Sequence, residues 1–201
     1  SMDGTLAPVP ELIAVCRAHG AALMVDDAHG TGTLGATGRG ITEHFSLIDD
    51  HPDILVATSS KALGVEGGAV ATSAPVAALL RQKARTFVYS TSSTPATCAA
   101  VSAAIGVLEG DGSPVPALHR NIRRLASQLG MGEWASPIIP VPIGDETKAV
   151  DAAAKLREAG YFVPAIRWPT VPRGAAMLRV TVMATHTDAQ IDGLADVISR
   201  L

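Results

Sequence analysis

Cysteine is scarce in this chain: Cys16 and Cys98 are its only two, far apart and without a C-x-x-C spacing. That pattern argues against a disulfide framework and a cysteine-based zinc site. Charge of one sign is missing as well. Acids and bases are mixed along the chain and sum to −3, which gives no electrostatic reason to expect nucleic acid or an anionic membrane as a partner. No apolar run approaches the roughly 18 residues that read as a membrane span, and no signal peptide is read ahead of the first expected element. Hydrophobic residues make up 47% of the 201, a globular rather than a disordered composition. The expectation is a soluble, cytoplasmic protein whose two cysteines are small buried hydrophobes on helices.

What is present alternates. Pro10 to Ala18 reads as a short helix ended by Gly20. The continuous apolar runs "AALMV" (21 to 25) and "ILVAT" (54 to 58) suit strands buried on both faces, and "GAVATS" (68 to 73) is a weaker third. Helices are expected at about 75 to 84 and 94 to 109. This alternation predicts an α/β layer with a mostly parallel sheet. "GDGSPVP" (110 to 116) collects Gly, Ser and Pro and marks a boundary. Beyond it come an amphipathic helix (117 to 129), a proline-bearing strand "SPIIPVPIG", and a helix closed by Gly160. The strands "YFVPAI" and "MLRVTVM" follow, then a helix with the capping box Thr187 to Gln190. Residues 1–110 are thus expected as an α/β portion and residues 111–201 as a small α+β domain.

Two stretches carry chemistry. In "VDDAHGTGTLG" (25 to 35), Asp26, Asp27 and His29 follow the first strand; in "ATSSKALGVEGG" (57 to 68), Thr58, Ser59, Ser60 and Lys61 follow the second. Ligands of open α/β sheets bind outside the carboxyl ends of the strands. Lysine is rare, and Lys83, Lys148 and Lys155 all sit in helical patterns. Lys61 alone stands between an apolar strand and glycines, where it can serve as a nucleophile or Schiff base. The local sequence by itself also fits a surface lysine in a loop. An aspartate facing that lysine suits the protonated pyridine nitrogen of pyridoxal 5′-phosphate, with the histidine at the ring oxygen and Thr58 or a serine at the phosphate. Two rivals are weaker. Asp26, Asp27 and His29 could hold a metal, but no second histidine or carboxylate motif completes a site. The glycines could form a dinucleotide fingerprint, but no acid ends a second strand about 20 residues on.

The stretches "SMDGTLAPVPEL", "VDDAHGTGTLGATGRG", "TSSKALGVEGG", "FVYSTSSTPA" and "IRWPTVPRGAAMLRVTVMATHT", in this order, resemble the α-oxoamine synthases. These are pyridoxal phosphate enzymes of the fold-type I aminotransferase superfamily. The resemblance implies that residues 1–110 are the C-terminal part of an aminotransferase-like large domain and residues 111–201 the small domain. It implies a decarboxylative condensation of an amino acid with an acyl thioester, in a homodimer with the site at the interface. "YSTS" and "IRWPTVP" look most like the branch that joins L-alanine to pimeloyl-CoA or a pimeloyl carrier protein. The alternatives are a sister branch using glycine and acetyl-CoA, or a non-catalytic piece. By the same resemblance Lys61 would form the Schiff base and move the α-proton. Asp26 would meet the pyridine nitrogen, and His29, also implied in catalysis, would with Ser1 hold the ring oxygen. Thr58 would contact the phosphate, and Thr91 the phosphate bound by the partner subunit. Arg179 would clamp the substrate carboxylate, with Arg167 and Thr170 also at the substrate. No metal is implied. Family members run to nearly twice this length, so an N-terminal half with a Gly-rich phosphate turn and a ring-stacking histidine is expected ahead of Ser1.

Overall fold

The computed structural model describes residues 1–47 and 49–201. The chain divides into two units: Ala7–Val115, and Pro116–Leu201 together with Ser1–Leu6.

The first unit opens with α1 (Val9–Ala18), which has a proline in its first turn, where the missing N–H costs nothing. Val9 and Ile13 are its buried positions. Three strands follow: β1 (Met24–Asp26), β2 (Ile54–Thr58) and β3 (Gly68–Thr72), in spatial order β1-β2-β3, with the short helix α2 (Ile41–His44) between the first two. β1 runs parallel to β2, and β3 runs antiparallel to it. Of the two pairings, then, one departs from the parallel expectation. The cause is the connection of residues 59–67, a run of bends and turns without a helix; a parallel crossover needs about a dozen residues or more. β1 is also shorter than its apolar run, and as an edge strand it leaves Met24 64% exposed rather than buried on both faces. The helices α3 (Ala74–Lys83), α4 (Arg85–Val88) and α5 (Pro95–Glu109) contain no buried residue. For this reason Cys98, on α5, is exposed; Cys16, on α1 but away from its buried positions Val9 and Ile13, is half-buried. The reading of both cysteines as buried hydrophobes is corrected accordingly.

The second unit runs α6 (Val115–Gln128), β4 (Ile138–Gly144), α7 (Glu146–Glu158), β5 (Ala165–Ile166), β6 (Ala176–Thr181) and α8 (Asp188–Ile198). Its sheet is antiparallel, ordered β4-β6-β5. β4 lies at an edge, where Pro140 and Pro142 face Arg179 and Met177 and their missing N–H groups are tolerated. The strand expected at "YFVPAI" shrinks to Ala165–Ile166, just after Pro164, which can donate no ladder bond. Period-two alternation sorts β6: Ala176, Leu178 and Val180 are buried, while Met177 and Arg179 lie on the other face. Leu178 and Val180 join Ile122, Leu125, Ile139, Leu156 and Ile191 in one core. Asn121, fully buried, donates from Nδ2 to the carbonyls of Met183, Ala184 and His186. That fastens the turn between β6 and α8 onto α6.

Candidate functional site

The parallel pairing of β1 and β2 sets the site. Asp26, the last residue of β1, stands opposite Val56, and Thr58 ends β2 two residues later. Both chains therefore leave the sheet at the same edge. One continues into the turn carrying His29, the other into the loop carrying Lys61. The structure brings these four residues to the carboxyl edge of two adjacent parallel strands, the place where open α/β sheets bind ligands.

Their hydrogen bonding differs in ways that matter for chemistry. Asp26 is exposed; its Oδ1 accepts from the Ala28 N–H at 2.9 Å, and its Oδ2 makes no hydrogen bond among the described residues. That oxygen is available to a cationic or N–H-bearing ligand. Lys61 is exposed, and its amine makes no hydrogen bond or ion pair among the described residues. Thr58 is more committed: its hydroxyl lies 2.8 Å from Ser60 Oγ and donates to the Gly67 carbonyl at 3.1 Å. To hold an anion it must exchange one of these bonds, with Ser60 as a second hydroxyl beside it. Ser59 is buried and donates to the Glu66 carbonyl, which gives it a structural role in closing the lysine loop. His29 is half-buried, and its carbonyl accepts from Thr33 Oγ1 at 2.6 Å. Thr91 lies in the irregular segment before α5, exposed and with no hydrogen bond among the described residues. The first turn of α5 reaches the lysine loop through Thr97, which donates to Glu66 Oε1 at 3.5 Å.

The other candidates belong to the second unit. Ser1 is held in a turn in which its backbone nitrogen donates to the Thr5 carbonyl and Asp3 Oδ1 accepts from the Thr5 N–H and hydroxyl. A hydrogen bond from the Ser1 side chain to the Asp3 carboxyl is the largest of the influences that bring that carboxyl down to about 2. Gly4, at φ 84°, completes this turn against Ile138, whose carbonyl a Cβ would overlap. Arg179, on the sheet face away from the core, keeps its Nε buried without a hydrogen-bond partner among the described residues. An orphaned guanidinium donor of this kind fits a carboxylate ligand. Arg167 and Thr170 are exposed in the loop after β5, where the Thr170 N–H donates to the Arg167 carbonyl at 3.0 Å. In the same loop Arg173 stacks over the Trp168 ring at 4.6 Å.

Sequence reasoning grouped Asp27 with Asp26 but gave it no role of its own. It is buried, at 5% exposure, and its Oδ2 accepts from the Ile41 N–H at 3.0 Å. Burial raises its carboxyl from 3.8 to about 6 against the pull of that bond. Half of the signal was legible: successive strand side chains point to opposite faces, so of two adjacent acids at a strand end one turns inward, but not which. Glu43 was missed too. Burial pushes its carboxyl up, but bonds from the Arg39 and Thr37 N–H groups and the Thr37 hydroxyl outweigh this and hold it below the usual range. Among the described residues no group of three His, Cys, Asp or Glu side chains is placed to hold a metal ion, and no helix is long and apolar enough to cross a membrane.

The chain is 45% identical to an 8-amino-7-oxononanoate synthase of Thioalkalivibrio sulfidiphilus, covering 100% of this chain and 52% of that protein. It is also 45% identical to a bifunctional biotin biosynthesis protein of Corynebacterium kroppenstedtii, over 100% of this chain and 32% of that one. Among solved structures, it superposes on the serine palmitoyltransferase of Sphingomonas wittichii with a TM-score of 0.89 at 36% identity, covering 100% of this chain and 52% of that one. On the 8-amino-7-oxononanoate synthase of Francisella tularensis the TM-score is 0.78 at 28% identity, over 94% of this chain and 57% of that one. A further serine palmitoyltransferase match, at 31% identity and a TM-score of 0.91, holds pyridoxal phosphate as its internal aldimine. The chain spans about half the length of the synthases it matches, or less for the bifunctional protein. The family model for aminotransferase class I and II matches residues 1–198, and the chain belongs to that family.

Proposed function

We propose that this chain forms part of a cytoplasmic, homodimeric, pyridoxal-phosphate-dependent C-acyltransferase. It would condense L-alanine with pimeloyl-CoA or a pimeloyl carrier protein to give 8-amino-7-oxononanoate. A carbon–carbon bond forms between the alanine α-carbon and the thioester carbonyl, the thiol leaves, and the former alanine carboxylate departs as carbon dioxide. The observation that carries the reading is the parallel register of β1 and β2, with Asp26 and the Thr58–Lys61 segment at one edge. In this reading the unit Ala7–Val115 is the C-terminal portion of the cofactor-binding large domain, and residues 116–201 are the small domain. Two free cysteines suit a reducing compartment.

Pyridoxal phosphate, when bound, supplies an electron sink for a carbanion at the amino acid α-carbon. The rest is the work of this chain's own side chains. Asp26, through the oxygen left open by the Ala28 bond, would hold the pyridine N–H and keep the proton there. His29 and Ser1 would hydrogen-bond the ring oxygen. Thr58, by exchanging its bond to the Gly67 carbonyl, would hold the phosphate, and Thr91 the phosphate bound by the partner subunit. Lys61 would hold the aldehyde carbon, then take and return the proton at the alanine α-carbon. Arg179 would orient alanine by its carboxylate through the unpartnered Nε. Arg167 and Thr170 would meet the acyl donor.

The test is chemical trapping. The chain is incubated with pyridoxal phosphate, reduced with borohydride, digested and mapped by mass spectrometry. A pyridoxyl group confined to Lys61 is the expected result. Label spread over Lys83, Lys148 and Lys155, or none, overturns the reading. Alanine should then perturb the cofactor absorbance at lower concentration than glycine, and Arg179→Ala should raise the alanine concentration required.

A further inference from the structure

We propose that Asp27 is a positioning residue of this site: its buried carboxylate clips together the two ends of the loop that carries His29, and so fixes where Asp26 and His29 stand. The inference rests on the pyridoxal phosphate reading above and assigns a part to a residue that reading leaves idle.

The clip is built from both halves of Asp27. Its N–H donates to the Val56 carbonyl at 2.8 Å, which extends the β1–β2 ladder one residue past Asp26. Its carbonyl accepts from the N–H groups of Gly30 and Thr31 at 3.0 and 2.9 Å. Its Oδ2 accepts from the Ile41 N–H at 3.0 Å and from Thr31 Oγ1 at 3.4 Å. The carboxylate thus ties residues 27–31 to the first residue of α2, with the intervening loop folded between them. Both of its oxygens rest against glycines. A Cβ on Gly30 would overlap Oδ1, and a Cβ on Gly40, at φ 83°, would overlap Oδ2. The loop is braced from its far side by Glu43, whose carboxylate accepts from the Thr37 and Arg39 N–H groups. It is closed across its middle by the Gly32 N–H to Gly38 carbonyl bond at 2.8 Å.

His29 lies between Asp27 and Thr31, inside the clipped turn, and Asp26 immediately precedes it. At 5% exposure the Asp27 carboxylate is turned away from any ligand, so its influence passes through the backbone. The chemistry of the pocket selects an acid: the partners are an N–H and a hydroxyl, both able to donate, and a carboxylate is an acceptor only. Asparagine can still accept from Ile41 but must place an amide N–H₂ among glycine carbons. Alanine leaves the buried Ile41 N–H without a partner.

The test uses the ¹⁵N-labelled 201-residue chain, first without cofactor. In Asp27→Ala the Ile41 amide should exchange at least about tenfold faster, and the His29 ring signals should move toward those of a solvated imidazole. The ring signals of His119 and His186, in the other unit, should stay in place. Asp27→Asn should restore both the Ile41 protection and the His29 signals. With pyridoxal phosphate, Asp27→Ala should bind about tenfold or more weakly, the scale expected when site groups are misplaced, while Asp27→Asn stays within about threefold of the parent. If Asp27→Ala does not fold, Gly40→Ala replaces it: the added Cβ pushes the carboxylate aside and should produce the same His29 shift. Unchanged Ile41 exchange and His29 signals in a folded clip variant would overturn the proposal. So would a shifted loop with cofactor affinity within twofold of a parent that labels at Lys61. Absence of label on the parent chain sinks the cofactor reading instead, and the Ile41 and His29 signals still decide whether the clip exists.

Discussion

The two units of this chain are built on opposite terms. In Pro116–Leu201 the helices α6, α7 and α8 each bury an apolar face, and β4 and β6 contribute Ile139, Leu178 and Val180 to the same core. In Ala7–Val115 the described buried apolar side chains are Val9, Ile13, Leu34, Ile41 and Val115. Three of its helices bury nothing, and Leu79, Phe87, Tyr89 and Val107 are each more than half exposed. The unit that holds Lys61 has a sheet and a pre-ordered loop but little core of its own. The candidate site's geometry here comes from backbone hydrogen bonds and one buried acid, Asp27, whereas the second unit is held by packing.

Truncation tests that contrast most directly. Leu178→Ala, at a fully buried position of β6, should cost about 2–5 kcal/mol, the range for emptying a packed core site. Ile105→Ala on α5, where the side chain is 43% exposed, should stay within about 0.5 kcal/mol. Trp134 and Trp168 both lie in the second unit, so tryptophan fluorescence in urea reports the first change, and circular dichroism or amide exchange the second. Equal costs would mean that the two units unfold as one and that the difference in their cores is not energetic.

Two carboxyl groups, one buried and one half-exposed, sharpen the comparison through pH. Asp27 in the first unit is raised by burial to about 6, so the folded state binds its proton more tightly than the unfolded chain does. Its contribution to stability is whole below the unfolded value near 3.8 and is lost as pH rises through about 6. Asp27→Asn cannot ionise, so whatever its stability at low pH, its stability relative to the parent should rise across that window by on the order of 2–3 kcal/mol. Asp192 in the second unit behaves in the opposite sense. Hydrogen bonds from Arg124 and then Gln128 hold it near 2, so its contribution is present above 3.8 and lost as pH falls through about 2. Amide exchange across a pH series should show the first unit weakening toward neutrality while the second does not. Asn121→Ala follows in size. It strips three carbonyls of their shared donor and should cost about 1–3 kcal/mol, confined to the second unit.

Much of this was legible in the residues themselves. The β2 run, the capping box at Thr187 and the amphipathic α6 lie close to where period and caps placed them, because each is specified by neighbours in sequence. The edge shared by Asp26 and Lys61 was legible only conditionally, since strand adjacency is a long-range pairing that no local pattern encodes. The direction of β3 and the division of labour between Asp26 and Asp27 were harder still: one depends on how short the 59–67 connection is, the other on which acid the twist of the chain turns inward. Exposure was the poorest inference. An Ala-rich helix with a cysteine reads as buried, yet α5 buries nothing, since burial depends on what stands opposite and not on the helix's own composition.

Two helix caps give the finest probe of the difference. The Thr187 hydroxyl oxygen accepts from the Gln190 N–H, and the Gln190 side-chain oxygen accepts from the Thr187 N–H. Thr94 accepts from the Thr97 N–H at 3.2 Å. Removing either hydroxyl orphans one first-turn donor, a loss that costs about 1 kcal/mol where it is fully felt. Whether it is felt depends on what the first turn supports. α8 buries Ile191, Leu194 and Ala195, so fraying at Thr187 loosens side chains of the core, and Thr187→Ala should lower the second unit's unfolding free energy by about the whole amount. α5 buries no residue, so a frayed first turn takes nothing else with it, and Thr94→Ala should change stability by less than about 0.5 kcal/mol while removing helicity near residue 94. A large global effect from Thr94→Ala would show that α5 is coupled to the rest of its unit more tightly than its exposed surface implies.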